Sequence, residues 1–224
     1  MCGRFFRTEV SYEEYLAHFD LSREGEFPGT EAAYNVAPTQ TAPVVRRLAG
    51  SAQAELAFAR WGLVPFWWNK PLKEMKFSTF NARSETAATS RVFRSAFRHR
   101  RCLVPVSGYY EWSGPRGRKT PYAIGCRNRR WFCFGGLWER SVIDGNDLES
   151  FTILTTTPNE LMAEIHSRMP VIVHPGDYVR WLDADSGDVA ELCSPYPAEE
   201  MEAWKVGKAV GNVRNQGREL IAEA

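Results

Sequence analysis

The period of hydrophobic and polar positions changes several times along this chain, and each change marks an element. In "SYEEYLAHFD" apolar residues follow Ser11 at helical spacing and Glu14 stands three positions after it, so a capping box is expected to open a short helix. Residues 22–38 carry Gly and Pro and read as a loop ending in "YNVAPTQ". The apolar runs "APVVRRL" and "AELAFARWG" flank Gly50-Ser51 and predict a strand pair around that turn. "LVPFWWNKPLKEMKFSTFNARSET" has no clean period and holds two prolines, which predicts a long loop that carries functional side chains. "SRVFRSAFRHRR" predicts a helix. "CLVPVSGYYEWS", "TPYAIGC", "RWFCFGGLW" and "FTILTTT" predict strands, with a turn at "SGPRGRK". In "TPNELMAEIH" Thr157 is expected at the N-cap, Pro158 at the first helical position, and Glu160 to complete a capping box. "MPVIVHP" reads as a strand, "GDYVRWL" as a short helix and "WKVGKAV" as a late strand. Strands dominate, there is no regular βαβ alternation, and neither repeat nor linker divides the chain. The expected fold class is therefore α+β. The expectation is one domain over 1–224, with a mostly antiparallel, barrel-like or coiled strand core and short peripheral helices.

Composition narrows the setting. None of the 224 residues lies in an apolar run of 18 or more, so no membrane-spanning helix is expected. The N-terminus lacks a long apolar stretch and carries Arg4 and Arg7, unlike a secretory signal. A cytoplasmic monomer is the expectation. The five cysteines, Cys2, Cys102, Cys126, Cys133 and Cys193, form an odd, scattered set without C-x-x-C, which points to neither a disulfide framework nor a zinc site. Cys102, Cys126 and Cys133 lie in strand-like runs and read as small buried hydrophobes. The formal net charge is +1, so any nucleic-acid contact must come from a local patch.

The chemistry begins at "MCGRF". Cysteine is small enough for Met1 to be trimmed in most cells, which exposes an amine and a thiol on one residue. The reference pKa of an α-amine, about 7.7–8.0, lies well below the lysine value of about 10.4, so at neutral pH far more of it is nucleophilic. Such an amine attacks an aldehyde to give a Schiff base, and the tethered thiol then closes a thiazolidine ring. Arg4 is expected to favour the thiolate and to hold an anion such as phosphate. Glu111 lies between Tyr110 and Trp112, where an aromatic surrounding would raise its pKa toward proton-transfer duty, though an edge-strand surface charge fits the same pattern. His166 sits at an element junction as acid or base, or as a structural histidine. Asn81 is an amide donor or a turn former. Arg91, Arg94, Arg98, Arg100 and Arg101 form a basic run whose first three members share a helical face. Arg83 and Trp67-Trp68 precede it, and if that stretch is extended the two indoles point to opposite sides. Guanidinium groups pair with phosphates and indoles stack on unpaired bases, while a solvated basic face with core tryptophans reads equally well.

Taken together, "MCGRF", "YNVAPTQ", "WGLVPFWW", "FNARSET", "GYYEW", "IHSRMPVIV" and "GNVRNQG" resemble, in order, the signature blocks of the SOS-response-associated peptidase (SRAP) family, from Cys2 to Gly217. The resemblance implies a sensor of abasic sites in single-stranded DNA that joins itself to the ring-opened sugar through Cys2. By the same resemblance Asn81 and Glu111 flank the reacting centre, and His166 is the acid/base of Schiff-base formation, strand cleavage and crosslink reversal. Arg4, Arg83 and Arg91 match phosphate-contacting positions. Trp67, Trp68, Trp112 and Thr155 match DNA-facing ones, and Pro38 lies in the loop beside the lesion. The implied peptidase activity is self-removal of a leader ahead of the cysteine. Only Met1 precedes Cys2 here, so a general methionine aminopeptidase would suffice, and retention of Met1 would block the amine. No metal or organic cofactor is implied. The competing readings are an N-terminal-nucleophile amidohydrolase, a protease acting on other proteins, and a single-stranded DNA-binding module in which Cys2 is incidental.

Overall fold

The computed structural model describes residues 2–19, 21, 31–184 and 189–224. Its framework is a closed circuit of strands. β3 (Thr41–Arg47) and β4 (Ala54–Trp61) form the expected hairpin, and Gly50 supplies the positive φ of 79° in the turn. Counting β1 (Phe5–Arg7), β2 (Ala33–Val36), β5 (Asn81–Arg83), β6 (Arg101–Val106), β7 (Gly108–Ser113) and β8 (Thr120–Cys126) in chain order, the long hairpin is β9 (Phe132–Ile143) with β10 (Asn146–Thr156). Its turn is Asp144-Gly145, with φ values of 52° and 78°, the conformation whose twist matches the flanking strands. β3 pairs with β6, β6 with β9, and β9 with β10, and β10 returns to β4 in parallel (Phe151↔Trp61), which closes the barrel. Two short strands extend the circuit, β11 (Met169–Pro170) antiparallel to β10 and β12 (Ile172–Val173) antiparallel to β9. A second, wholly antiparallel sheet runs β13 (Met201–Lys205), β8, β7, β1, β2. Only Ser107 separates β6 from β7, so the chain passes directly from one sheet to the other.

One apolar cluster joins Cys2, ahead of β1, and Phe5, Tyr109 and Ile124 of the second sheet to Val44, Trp61, Val104, Phe134 and Phe151 of the barrel. A second cluster takes the alternate positions Val45, Leu103 and Leu137 and covers them with the short helices α1 (Tyr12–Phe19), α3 (Arg94–His99) and α5 (Tyr178–Leu182). Both faces of these strands are buried, so "APVV" and "CLVPV" are continuously apolar where a half-buried strand would alternate. A third cluster packs Phe6, Tyr110 and Ala123, on the other face of the second sheet, against Val206, Val210 and Leu220 of the C-terminal segment. Gly108 is required at its position: a Cβ there would stand 2.3 Å from the Phe6 ring and 2.6 Å from the Ile124 carbonyl oxygen.

The α+β, strand-rich expectation agrees with this architecture, with several local differences. The Ser11–Glu14 capping box forms in both directions, at 2.8 and 3.2 Å. The cap of α4 (Glu160–Ala163) is Asn159, not Thr157: its side chain accepts from the Met162 amide at 2.9 Å, and Pro158 stays outside the helix. Residues 22–30 of the expected loop lie outside the described residues, and Ala33–Val36 at its end is a strand. "FNARSET" forms β5 and then the short helix α2 (Ser84–Ala87) where a loop was expected. "MPVIV" breaks at Val171, whose amide donates to Leu154 while its carbonyl accepts from Gly135. "WKVGKAV" holds only the end of β13, and a single 3-10 turn follows it.

Candidate functional site

β4 and β5 lie end to end along the same edge of β10, both parallel to it. The chain between them therefore leaves the barrel at Gly62 and returns at Phe80, with its base pinned by Leu63 N–H donating to Thr79 at 3.3 Å. This excursion carries Phe66, Trp67, Trp68 and Phe77, and its return delivers Asn81 to the barrel rim. Asn81 Nδ2 donates to the Cys2 carbonyl at 2.7 Å, which ties the N-terminal arm to β5. Asn81 Oδ1 is buried and has no hydrogen-bond partner among the described residues. Met1 lies outside the described residues.

Cys2 is 0% exposed and belongs to the core cluster that contains Phe5 and Tyr109. Burial, and next the negative charge of Glu111, push its thiol pKa well above the ordinary value, so the sulfur is a protonated thiol at neutral pH. The expected thiolate-favouring role of Arg4 is not what the geometry provides. Arg4 leaves the strand on the opposite side: its Nη1 donates to Asn35 Oδ1 at 2.7 Å and Val210 O at 3.0 Å, and its Nη2 to Gly211 O at 3.4 Å. Asn35, fully buried, also donates through Nδ2 to Asn212 O and Asn215 O, each at 3.0 Å. One side chain thus joins "MCGRF", "YNVAPTQ" and "GNVRNQG".

Glu111 owes its burial, 4% exposed, to its place on β7, an interior strand between β8 and β1. Strand alternation puts Tyr109 and Glu111 on the Cys2 face, and Tyr110 and Trp112 on the other. The flanking aromatics expected to dry the carboxylate therefore do not face it. Trp112 packs in the third cluster, with Tyr110, whose hydroxyl donates to Tyr34 O at 2.8 Å, and so stands apart from the Cys2 face. Tyr109 shares the site instead. Its hydroxyl is buried without a hydrogen-bond partner among the described residues, and burial, followed by the neighbouring Cys2 and Glu111 side chains, raises its pKa.

His166 follows α4; Leu161 and Met162 of that helix, and Ile165 after it, pack on the cluster that holds Cys2. The His166 Nδ1 lies 3.0 Å from the Arg168 amide nitrogen and 3.2 Å from the Arg168 carbonyl oxygen, so the backbone of Arg168 fixes the ring's orientation. The Arg168 guanidinium forks onto both carboxylate oxygens of Glu85, at 2.5 and 2.9 Å, and onto Thr155 O and Oγ1, at 2.5 and 3.2 Å. Thr155 is 0% exposed with its hydroxyl engaged this way, so it faces Arg168 and not solvent. Its register partner on β5 is Arg83, which is exposed.

Trp67 and Trp68 meet each other at 6.3 Å and 62°, because Trp68 N–H closes a turn onto Pro65 O. The stretch is not extended, and the indoles do not diverge to opposite sides. Trp68 also meets Phe77 at 5.7 Å, the Arg91 guanidinium lies 5.0 Å over the Trp67 ring, and Phe66 is 58% exposed beside them. Pro38 is half-buried in a turn whose next residue, Thr39, has φ 78°, an unusual conformation for a β-branched side chain. Thr39 N–H donates to Trp61 O at 2.8 Å, which sets that turn against the end of β4 where the aromatic excursion departs.

Sequence reasoning missed Asn35, Tyr109, Phe66 and Arg168. The signal for Asn35 was an amide inside a strand-like "AYNV"; for the other three, spacing carries no sign of which face or partner they take. The chain is similar to known proteins in sequence and in fold. The family model described as SOS response associated peptidase (SRAP) matches residues 1–213. Abasic site processing protein YoqW of Bacillus subtilis is 34% identical over 99% of both chains, and abasic site processing protein YedK of Escherichia coli is 31% identical over 99% of both. A crystal structure of a protein from Bordetella bronchiseptica superposes with a TM-score of 0.78 at 28% identity, over 92% of this chain and 100% of that one. The chain belongs to the SOS response associated peptidase (SRAP) family.

Proposed function

We propose that this chain processes abasic sites in single-stranded DNA by joining itself covalently to the damaged sugar through Cys2. The observation that carries the reading is Cys2 itself: an N-terminal arm tied by Asn81 to the barrel rim, with the thiol on the face that holds Glu111. Excision of the residue before Cys2, Met1 in this sequence, creates the amine, and self-removal of that residue is the counterpart of the family's peptidase description. The neutral amine adds to the aldehyde carbon of the ring-opened sugar to give a carbinolamine. Loss of water from it gives the Schiff base, and proton transfer for that step falls to Glu111 and His166. The thiol then adds to the imine carbon: a C–S bond forms, the S–H bond breaks, and the proton ends on the former imine nitrogen, closing the thiazolidine without oxidant or reductant. The raised thiol pKa supports this order, since a protonated thiol leaves the first attack to the amine. Asn81 Oδ1, buried and without a partner among the described residues, is an acceptor for the amine or carbinolamine. Trp67, Trp68, Arg83 and Arg91 hold the strand by stacking and phosphate contact.

The test is a single-stranded oligonucleotide carrying one abasic site, resolved on a denaturing gel after heating. The wild-type chain, shown by mass to begin at Cys2, is expected to give a heat-resistant adduct, with none on an intact strand. Cys2→Ala is expected to give an adduct only when borohydride reduces a Schiff base. Equal heat-resistant adduct from Cys2→Ala, or none from the wild type, refutes the reading.

A further inference from the structure

The arginine run after β5 is divided by the fold. Arg100 is spent on Glu139, at 2.7 Å, and on Ser95. Arg101 is buried and donates to the carbonyls of Trp181, Phe97, Arg98 and Asp183. Arg91, Arg94 and Arg98 are exposed, and neither Arg94 nor Arg98 is in an ion pair among the described residues. Arg94 and Arg98, with His99, Ser95, Thr89 and Ala88, line an open pocket of about 490 Å³ that has no acidic residue in its wall.

The Arg94 amide bonds to Ser90 O at 2.8 Å across four residues, so the helical winding of α3 begins near Ser90 and sets the three exposed arginines on one side. At 1.5 Å per residue they span about 10 Å, the length occupied by about three phosphates at 3.4 Å per charge on one strand. One end of the row lies over Trp67 and the other enters the pocket. We propose that this pocket binds phosphates of the DNA strand that flank the damaged nucleotide, so that the strand runs from the Trp67 stack along α3. The site rests on the reading that single-stranded DNA is the substrate, but it needs no crosslinking chemistry. A guanidinium takes phosphate oxygens bidentately, and a pocket without carboxylates leaves that attraction unopposed.

The test is fluorescence anisotropy on a labelled intact single strand across a chloride series. Arg94→Ala/Arg98→Ala is expected to weaken binding and to make the log–log salt slope shallower by about 1.4, or about 0.7 for each phosphate that is no longer neutralised. Arg94→Lys/Arg98→Lys, which keeps the charge, is expected to retain most of the slope and controls for folding. Replacing chloride with inorganic phosphate at equal ionic strength separates the sources: strand capture predicts weak competition. Strong competition by phosphate in the wild type, with an unchanged DNA slope in the alanine variant, marks a free-anion site and overturns the proposal, as does an unchanged slope alone. Intact strands form no adduct. A chain that fails to crosslink abasic DNA yet shows the shallower slope in the alanine variant therefore refutes the proposed chemistry and keeps this site, and the reverse result does the opposite.

Discussion

Replacing Asn35 with alanine removes the side chain that holds three separate segments together. Its carboxamide oxygen accepts from the Arg4 guanidinium at 2.7 Å, and its nitrogen serves the carbonyls of Asn212 and Asn215 at 3.0 Å and of Val210 at 3.3 Å. A hydrogen bond to a charged group contributes about 1.5–3 kcal/mol and each of the two well-placed amide bonds about 1, so the loss is expected at about 3–5 kcal/mol. For a chain of this length that lowers the melting temperature by roughly 6–20 °C. Urea unfolding reads the stability, and the rate of heat-resistant adduct formation reads the placement of Cys2, two residues from Arg4. Asn35→Asp separates the two arms. It keeps an acceptor for Arg4 but sets a carboxylate against three backbone carbonyls, so it is expected to release the C-terminal loop while holding the N-terminal arm. A loss below about 1 kcal/mol in Asn35→Ala, with an unchanged adduct rate, would refute the argument that this residue organises the site.

Tyr109→Phe deletes a buried hydroxyl that has no partner among the described residues, and urea unfolding is expected to show a gain of about 1 kcal/mol; a loss contradicts it. Glu85 is held below the ordinary carboxylate range chiefly by hydrogen bonds from Arg168. A depressed acid contributes stability that is present above the unfolded pKa of about 4.3 and lost as pH falls through the folded value. The carboxylate is 45% exposed, so Glu85→Gln is expected to cost at most about 1 kcal/mol at pH 7, shrinking below about pH 4, by thermal melts at several pH values. A cost that grows on acidification contradicts this. Phe66→Ala, at a 58% exposed position, is expected to change stability by less than about 0.5 kcal/mol. The same change should weaken single-strand binding by about 1–3 kcal/mol if a base stacks there; equal affinity by anisotropy removes Phe66 from the stack.

Much of the fold was legible because its signals are local. Ser11 and Glu14 meet within one helical turn, and the turn at Gly50 follows from one residue's conformational freedom. The candidate chemistry was legible for a similar reason, since a cysteine at residue two is a property of covalent structure. The hairpin turn at Asp144-Gly145 was also local and was overlooked. Other features had no local signal. Asn159 takes the cap from Thr157, and its amide nitrogen is at the same time held by Tyr196 O at 2.7 Å from a distant segment. Strand alternation puts Trp112 and Glu111 on opposite faces, but which face meets Cys2 depends on the pairing of β7 with β1.

The amino-acid order alone determined the strand-rich class, the candidate nucleophile Cys2, and the supply of arginines and indoles. Tertiary structure decided which of those groups are available: Arg4 and Arg101 are bound internally, Arg94 and Arg98 are left to solvent, Thr155 faces Arg168, and burial pushes the Cys2 thiol pKa up. The physical reason is that burial and charge pairing depend on neighbours brought together from distant parts of the chain, whereas periodicity and covalent reactivity do not.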